Sequence, residues 1–479
     1  MWFWIFRFGF VVKVLKCSLW AFVVPELGFC RTTTLVQKPF KLAYFGEGIA
    51  LRNDLNLSVR YLGVNNQSAG RSRVVFIIAI IVLLTVIGWF LNFSILSSGG
   101  GNKFLIQWLA VRSFAKEGVN PYSSVLQSTA EDMVYGHVAT NEPKLKFSSP
   151  LYSILVILPY ALISDFKFAA VAWTILLVLT LLISLVMTLR IAGWKPPLFL
   201  VLLLITFTLL GFHNFRSVSS GSVVIIAMFF LYLAFASIRE KRYELAGILL
   251  ALATIQPRTI LLVLMFVLFW SLTNRLWVIV VWFFAGVSVL FILGLFFIPD
   301  WPIQYLRIIF NFEEYYQVIT PVSVFSSGLP GMGRQLGWGL SLIMVIILIL
   351  EWLAARNKGF SWFLWTASLT LVVSQWIGIP ADPEDFVLLL LPFVLVLAVW
   401  EQRFARFGKW IAGLSLVSLL FGLWMIFARI FPNASSFQLN SVFLFPFPLF
   451  LLISLYWVRW WAVRSQGDYV EGLKSVEKF

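Results

Sequence analysis

Charge, histidine and cysteine are all scarce in this chain. Only 12% of its residues are Asp, Glu, Lys or Arg, about half the share of a soluble globular protein. The two cysteines, Cys17 and Cys30, both lie near the start, which leaves no basis for a disulfide framework or a cysteine-built metal site. His137 and His213 are the only histidines, too few and too far apart for a histidine cage, so no metal site is expected. No G-x-x-x-x-G-K-[ST] phosphate loop occurs, which argues against ATP-driven transport by this chain alone. The glycine run Gly99–Gly101 follows no strand, so it is not a dinucleotide fingerprint. The alternating ten-residue segments of a membrane β-barrel are missing too.

What the chain does have is apolar length. Hydrophobic residues make up 61% and mean hydropathy is +0.92. Uncharged runs of about twenty residues recur, enough to cross a bilayer core of about 30 Å. The expected class is an all-α polytopic membrane protein. A net charge of +15 invites a nucleic-acid reading. The basic residues, however, sit in short clusters between apolar runs, as positive-inside bias places them. The lipid bilayer is therefore the expected partner, and nucleic acid is not.

Residues 1–73 form a basic and apolar region to which no role is assigned; Arg7, Lys13 and Lys16 interrupt its first apolar stretch, which suits an interfacial helix. Residues 74–460 read as the transmembrane domain and 461–479 as a cytoplasmic tail. The first span runs from Val74 to about Ile95 behind Arg71 and Arg73, which puts the following polar stretch outside. Further helices are expected near 168–189, 197–213, 221–238, 244–257, 258–273, 276–298, 338–355, 360–378, 384–400, 409–431 and 441–460. The expectation is about twelve spans in a plasma or inner membrane, both termini cytoplasmic. Pro150–Ile163 carries Pro150 and Pro159 and would rise only about 21 Å as a helix. It reads as re-entrant or shallow.

The first external loop, 97–149, organises the rest. A polar stretch of that length cannot lie in hydrocarbon, where its backbone groups would lack partners. It holds a helix-like segment, Phe104–Lys116, and a turn through Gly118, Asn120, Pro121 and Tyr122. Candidate external carboxylates are Glu117, Glu131, Asp132, Asp300, Glu313, Glu314, Asp382 and Asp385. Adjacent acids such as Glu131 with Asp132 can raise one another's pKa in a confined site. Candidate phosphate-binding cations are Lys103, Arg112, Arg216 and Arg258. Arg258 follows Pro257 at a break between two short apolar segments, where half-helix ends can line a cavity within the membrane.

The order of these features resembles glycosyltransferase family 87. The resemblance runs from the glycine-rich exit through the Glu117-Gly118…Asn120-Pro121-Tyr122-Ser123 turn to Ser149-Pro150-Leu151-Tyr152-Ser153. It continues through Trp173, His213-Asn214…Gly221, the run Ala246 to Pro257, Pro299-Asp300-Trp301 and Asp382-Pro383, covering about 74–400. It implies a GT-C-like bundle and sugar transfer from a polyprenyl-phosphate donor to a cell-envelope glycan or glycolipid acceptor, with inversion at the anomeric carbon and no cofactor. Such chemistry needs a carboxylate to accept the acceptor's proton and cations for the departing lipid phosphate. On that reading Glu131, Asp132, Glu313 and Asp382 are the candidate catalytic acids. Arg258, Arg216, Lys103 and Arg112 hold the phosphate, and Asn102, Tyr122, His213 and Gln256 line the substrate groove. Where the family carries an acid after the glycine run, this chain has Asn102 and Lys103. Gln256 stands where the family tends to have lysine, and Ser222 replaces Gln or Asn.

Two other readings compete. One is a relative that keeps the fold and lipid groove without the catalytic acid, presenting a glycolipid or scaffolding another transferase. The other is a lipid or solute transporter, for which broken helices argue, although no internal repeat accompanies them.

Overall fold

The computed structural model describes residues 103–139, 144–310, 319–377, 382–430 and 436–463. All of them fall within one unit, Thr85–Phe479, and among them the chain is helical. The first expected span and residues 1–73 and 464–479 lie outside the described residues, as do Asn102 and Glu313.

Local chemistry sets the helix limits. Asp165 accepts a hydrogen bond from the Lys167 amide at 2.7 Å and starts the Phe166–Ala192 helix, which ends at Gly193 with φ 67°. That left-handed stop suits glycine. Ser123 opens the Ser124–Tyr135 helix and Gly136, φ 76°, closes it. Pro257 begins Pro257–Thr273 at its first turn, where a missing N–H costs nothing. The expected external loop is thus largely helical, with Lys103–Glu117 and Ser124–Tyr135 inside it.

Six described helices are long and apolar enough to cross a membrane: Phe166–Ala192, Trp277–Phe297, Gly333–Ala354, Asp385–Arg403, Phe407–Arg429 and Asn440–Trp457. A seventh span arises if Leu198–Leu210 and Phe212–Ser219, bent by 48°, count as one. Three expected spans are instead shorter apolar helices, Val224–Arg239, Tyr243–Ala253 and Pro257–Thr273. Leu151–Ala161, in the segment read as too short to span, is short here as well. The expected figure of about twelve therefore exceeds what length and composition support among the described residues. The reason is physical: spans buried inside a bundle can be shortened and broken, since protein rather than lipid meets their ends.

Asp385–Arg403 is the centre of the bundle, 89% buried along its apolar window, whereas Trp277–Phe297 is only 17% buried. Both are hydrophobic all round, which suits a buried helix or a lipid-facing one equally; burial tells them apart. The central helix begins as a 3-10 turn, Asp385–Leu389, before becoming α-helical at Leu390. Tyr232 stitches that transition: its hydroxyl donates to Leu388 O at 2.9 Å and accepts from the Leu391 amide at 3.0 Å.

The bundle has two distinct ends. At one, the Phe104 amide donates to Ser220 O, Tyr152 Oη donates to Thr254 O, and Arg258 pairs with Asp382. At the other, Arg239 donates to Arg190 O and Ile191 O, and Trp270 Nε1 donates to Lys358 O. The second end carries the short basic turns.

Candidate functional site

Three acids fall within four residues at the entrance to the central helix: Asp382, Glu384 and Asp385. All are buried, and two cations from distant parts of the chain meet them. Lys103 Nζ lies 2.8 Å from Asp382 Oδ2 and 2.9 Å from Glu384 Oε2. Arg258 Nη2 lies 2.9 Å from the same Asp382 oxygen and 3.5 Å from Asp385 Oδ2. Asp385 Oδ2 also accepts the Asp382 amide at 3.0 Å, closing a turn that holds the two carboxylates together.

The neighbouring Phe212–Ser219 helix fixes the backbone of that turn. His213 Nδ1 sits 3.3 Å from Pro383 O, and Ser217 Oγ donates to Glu384 O. The His213 ring stacks between Phe386 and Phe447, with centroids 4.9 and 5.7 Å away. His213, expected in a substrate groove, here packs against the backbone of the acidic turn. Lys103 and Arg258 are set by the starts of Lys103–Glu117 and Pro257–Thr273, so each cation sits where its helix begins.

Burial opposes the charge on Asp382, but Lys103 and Arg258 outweigh it and hold the carboxyl well below its usual range. Burial likewise opposes the Lys103 ammonium. The carboxylates of Asp382, Glu384 and Asp385 overcome it, and the amine is held above the ordinary lysine range.

A small cavity, about 30 Å³, lies against this cluster and is lined by Lys103, Gln107, Lys146, Gln256, Arg258 and Asp382, with Ser148, Ser149 and Ser222 beside them. Four of the expected site residues therefore converge: Lys103, Gln256, Arg258 and Asp382. Tyr122 stands next to them, its hydroxyl donating to Ser149 O at 2.9 Å. Lys146, Glu384 and Gln107 enter the site without having been picked out as candidates, and Ser222, noted only as a departure from the family pattern, joins them. Their sequence signals were a basic and serine-rich Lys144–Ser149 segment and a third acid beside Asp382 and Asp385.

Residues 147–377 match glycosyltransferase family 87. The chain resembles that family. The matched stretch is just under half of the 479 residues; it includes Gln256 and Arg258, begins after Lys103, and ends before Asp382. No curated protein and no solved structure matches the chain. Together with the apolar helices, the match to glycosyltransferase family 87 supports a multi-pass membrane glycosyltransferase.

The remaining candidates lie apart from the cluster. Arg112 donates to Ala161 O at 3.2 Å and Ile163 O at 3.0 Å and stacks over Trp108. Its guanidinium thus ties the Lys103–Glu117 helix to the end of Ile154–Ala161. Arg216 lies over the Phe443 ring, 5.0 Å from its centroid. Glu131 is buried and accepts from Gln127 Nε2, the Ala139 amide and the Leu145 amide, so it organises the loop backbone around itself. Asp132 is exposed on the same helix. Among the described residues no group of three His, Cys, Asp or Glu side chains is arranged to hold a metal ion.

Proposed function

We propose that the protein transfers a sugar from a polyprenyl-phosphate donor to a cell-envelope glycan or lipid acceptor at the polar end of the bundle, taken as its external face. The observation that carries this reading is Asp382, held between Lys103 and Arg258 at the wall of a cavity that also takes in Lys146 and Gln256. A carboxylate and three cations around one opening are what displacement at a phosphate-linked anomeric carbon requires. The acceptor oxygen bonds to that carbon while its proton passes to Asp382. The bond from carbon to phosphate oxygen breaks, and its electron pair leaves with the lipid phosphate, stabilised by Arg258, Lys103 and Lys146.

The ion pairs also suggest how the base is armed. Pinned by two cations, Asp382 is a poor proton acceptor. An incoming donor phosphate competes for the same two cations, and the cavity holds only a water-sized group. Donor entry therefore requires Lys103 to move, and its departure makes Asp382 more basic as the sugar arrives. On this reading Asp382 takes the role of the missing acid at Asn102 and Lys103.

The second reading, a relative without activity, rests on the same neutralisation of Asp382. The deciding experiment is sugar transfer by the purified protein across a panel of radiolabelled polyprenyl-phosphate sugars, beside Asp382→Asn and Arg258→Gln. Wild-type turnover that falls at least about a hundredfold in Asp382→Asn supports the enzyme. Silence across the panel with polyprenyl-phosphate binding intact supports the inactive relative, and full activity in Asp382→Asn removes Asp382 from the chemistry.

A further inference from the structure

A second, larger cavity lies at the opposite end of the bundle from the acidic cluster. Its volume is about 600 Å³, and Ile191, Arg239, Lys358, Ser361, Trp362 and Trp461 are among its lining residues. The 16-residue helix Val224–Arg239 connects the two ends and rises about 24 Å. Ser222 and Val223, at its start, touch the small cavity, and Arg239, at its end, touches the large one. The two openings are therefore separate sites.

Four features give the large cavity a chemistry. Its lining includes two cations and no described acid, so it carries net positive charge. Arg239 is fixed in place: its Nη1 donates to Arg190 O and Ile191 O at the end of Phe166–Ala192. A guanidinium held this way is pre-ordered and loses little freedom on meeting an anion. The Lys358 backbone is tied by Trp270 Nε1 at 3.2 Å, which settles the turn that carries the second cation. The first turn of Phe360–Val373 adds to these charges, since Phe360, Ser361 and Trp362 all line the cavity and the Ser361 hydroxyl supplies a donor.

The remaining walls are apolar, through Ile191 and Leu364, and carry the indoles of Trp362 and Trp461. Tryptophan at the end of apolar spans matches the headgroup level of a bilayer. A basic opening between helix ends with an apolar flank fits a phosphate carrying acyl chains better than a fully soluble anion, and such openings are a recurrent form of headgroup recognition.

We propose that this cavity binds a phosphate ester, and that its ligand is the headgroup of an anionic membrane phospholipid. Occupancy would brace the ends of Phe166–Ala192, Val224–Arg239 and Phe360–Val373 against one another, away from the site of transfer.

The test uses the full chain in phosphatidylcholine nanodiscs doped with phosphatidylglycerol, with native mass spectrometry counting retained lipid. Wild type should retain phosphatidylglycerol over phosphatidylcholine. Lys358→Gln should weaken that preference at least about fivefold, and Ser361→Asp, which sets a negative charge in the cavity, at least about tenfold. Arg239→Gln should lose it as well. Because Arg239 also caps a helix, the other two variants decide the test if this one unfolds, their fold being checked by an unchanged melting temperature. Equal retention of both lipids, or unchanged preference in Lys358→Gln and Ser361→Asp, overturns the proposal. Full displacement by equimolar inorganic phosphate would make it a soluble-anion site. Selective retention of polyprenyl phosphate over phosphatidylglycerol would assign it to the lipid carrier. Either result rejects the membrane phospholipid.

Discussion

Lys103 occupies a position where the family resemblance implies an acid, and its ammonium touches two carboxylates from the far end of the chain. Its effect on Asp382 can be read from pH. The folded pKa of Asp382 is depressed, so its contribution to stability is complete above the unfolded value of about 3.9 and fades as pH falls through the folded one. Lys103→Met removes one of the two cations responsible. The folded pKa of Asp382 then rises toward its ordinary range, and acid unfolding sets in earlier. We expect the acid midpoint of the melting temperature against pH to move upward by about one pH unit, while Asp132→Asn, a change at an exposed side chain, leaves it in place. An unmoved midpoint in Lys103→Met would mean that Arg258 alone holds Asp382. Asp382 and Arg258 were legible as candidates because charge beside a proline break or between apolar runs is unusual. Their meeting was not, since 124 residues separate them and a single sequence carries no record of which loops share an end of a bundle.

Helix positions were far easier to read than helix roles. Apolar runs between the basic turns and the break at Pro257 placed Phe166–Ala192, Pro257–Thr273 and Trp277–Phe297 within a few residues. Hydropathy cannot separate a helix facing lipid from one enclosed by protein, so the shortened helices were counted as ordinary spans. Small residues supply part of the missing information. A Cβ on Gly247 would lie 2.6 Å from Ile279 O and 2.7 Å from Trp282 Cβ; one on Gly286 would lie 2.7 Å from Ala251 Cβ. Tyr243–Ala253 and Trp277–Phe297 thus touch backbone to backbone through Gly247, Ala251 and Gly286, the close approach by which membrane helices associate without a hydrophobic driving force. Gly247→Leu has no room on either side. It should destabilise the protein by about 1–3 kcal/mol, the usual cost of overpacking, seen as a lower melting temperature in detergent. The same change at Gly339, where nothing lies within 4 Å, should leave the melting temperature within error. Equal effects at the two glycines would remove close packing as the cause.

At the scale of the whole molecule, the two ends differ in charge and so make a claim about direction. The acidic cluster and its cavity gather residues from 103 to 385 at one end, whereas the turns around Arg190, Lys241, Arg275 and Lys358 gather at the other. Those turns are tight enough that Lys241, Arg275 and Asn357 take left-handed backbone conformations, with φ of 62°, 58° and 57°; for lysine and arginine this costs about 1 kcal/mol each. Basic residues kept at such positions fit the bias that holds lysine and arginine on the cytoplasmic side. The end that holds Asp382 would then be external, where a lipid-linked donor and an envelope acceptor meet. Cysteine labelling in intact cells checks this directly. In a background with Cys17 and Cys30 replaced, Val138→Cys, at a residue 57% exposed just past the Ser124–Tyr135 helix, should react with a membrane-impermeant maleimide. Asn357→Cys, exposed in a basic turn, should react only after permeabilisation. The reverse pattern would turn the site toward the cytoplasm, where soluble nucleotide sugars become the natural donors and the polyprenyl-phosphate reading loses its main support.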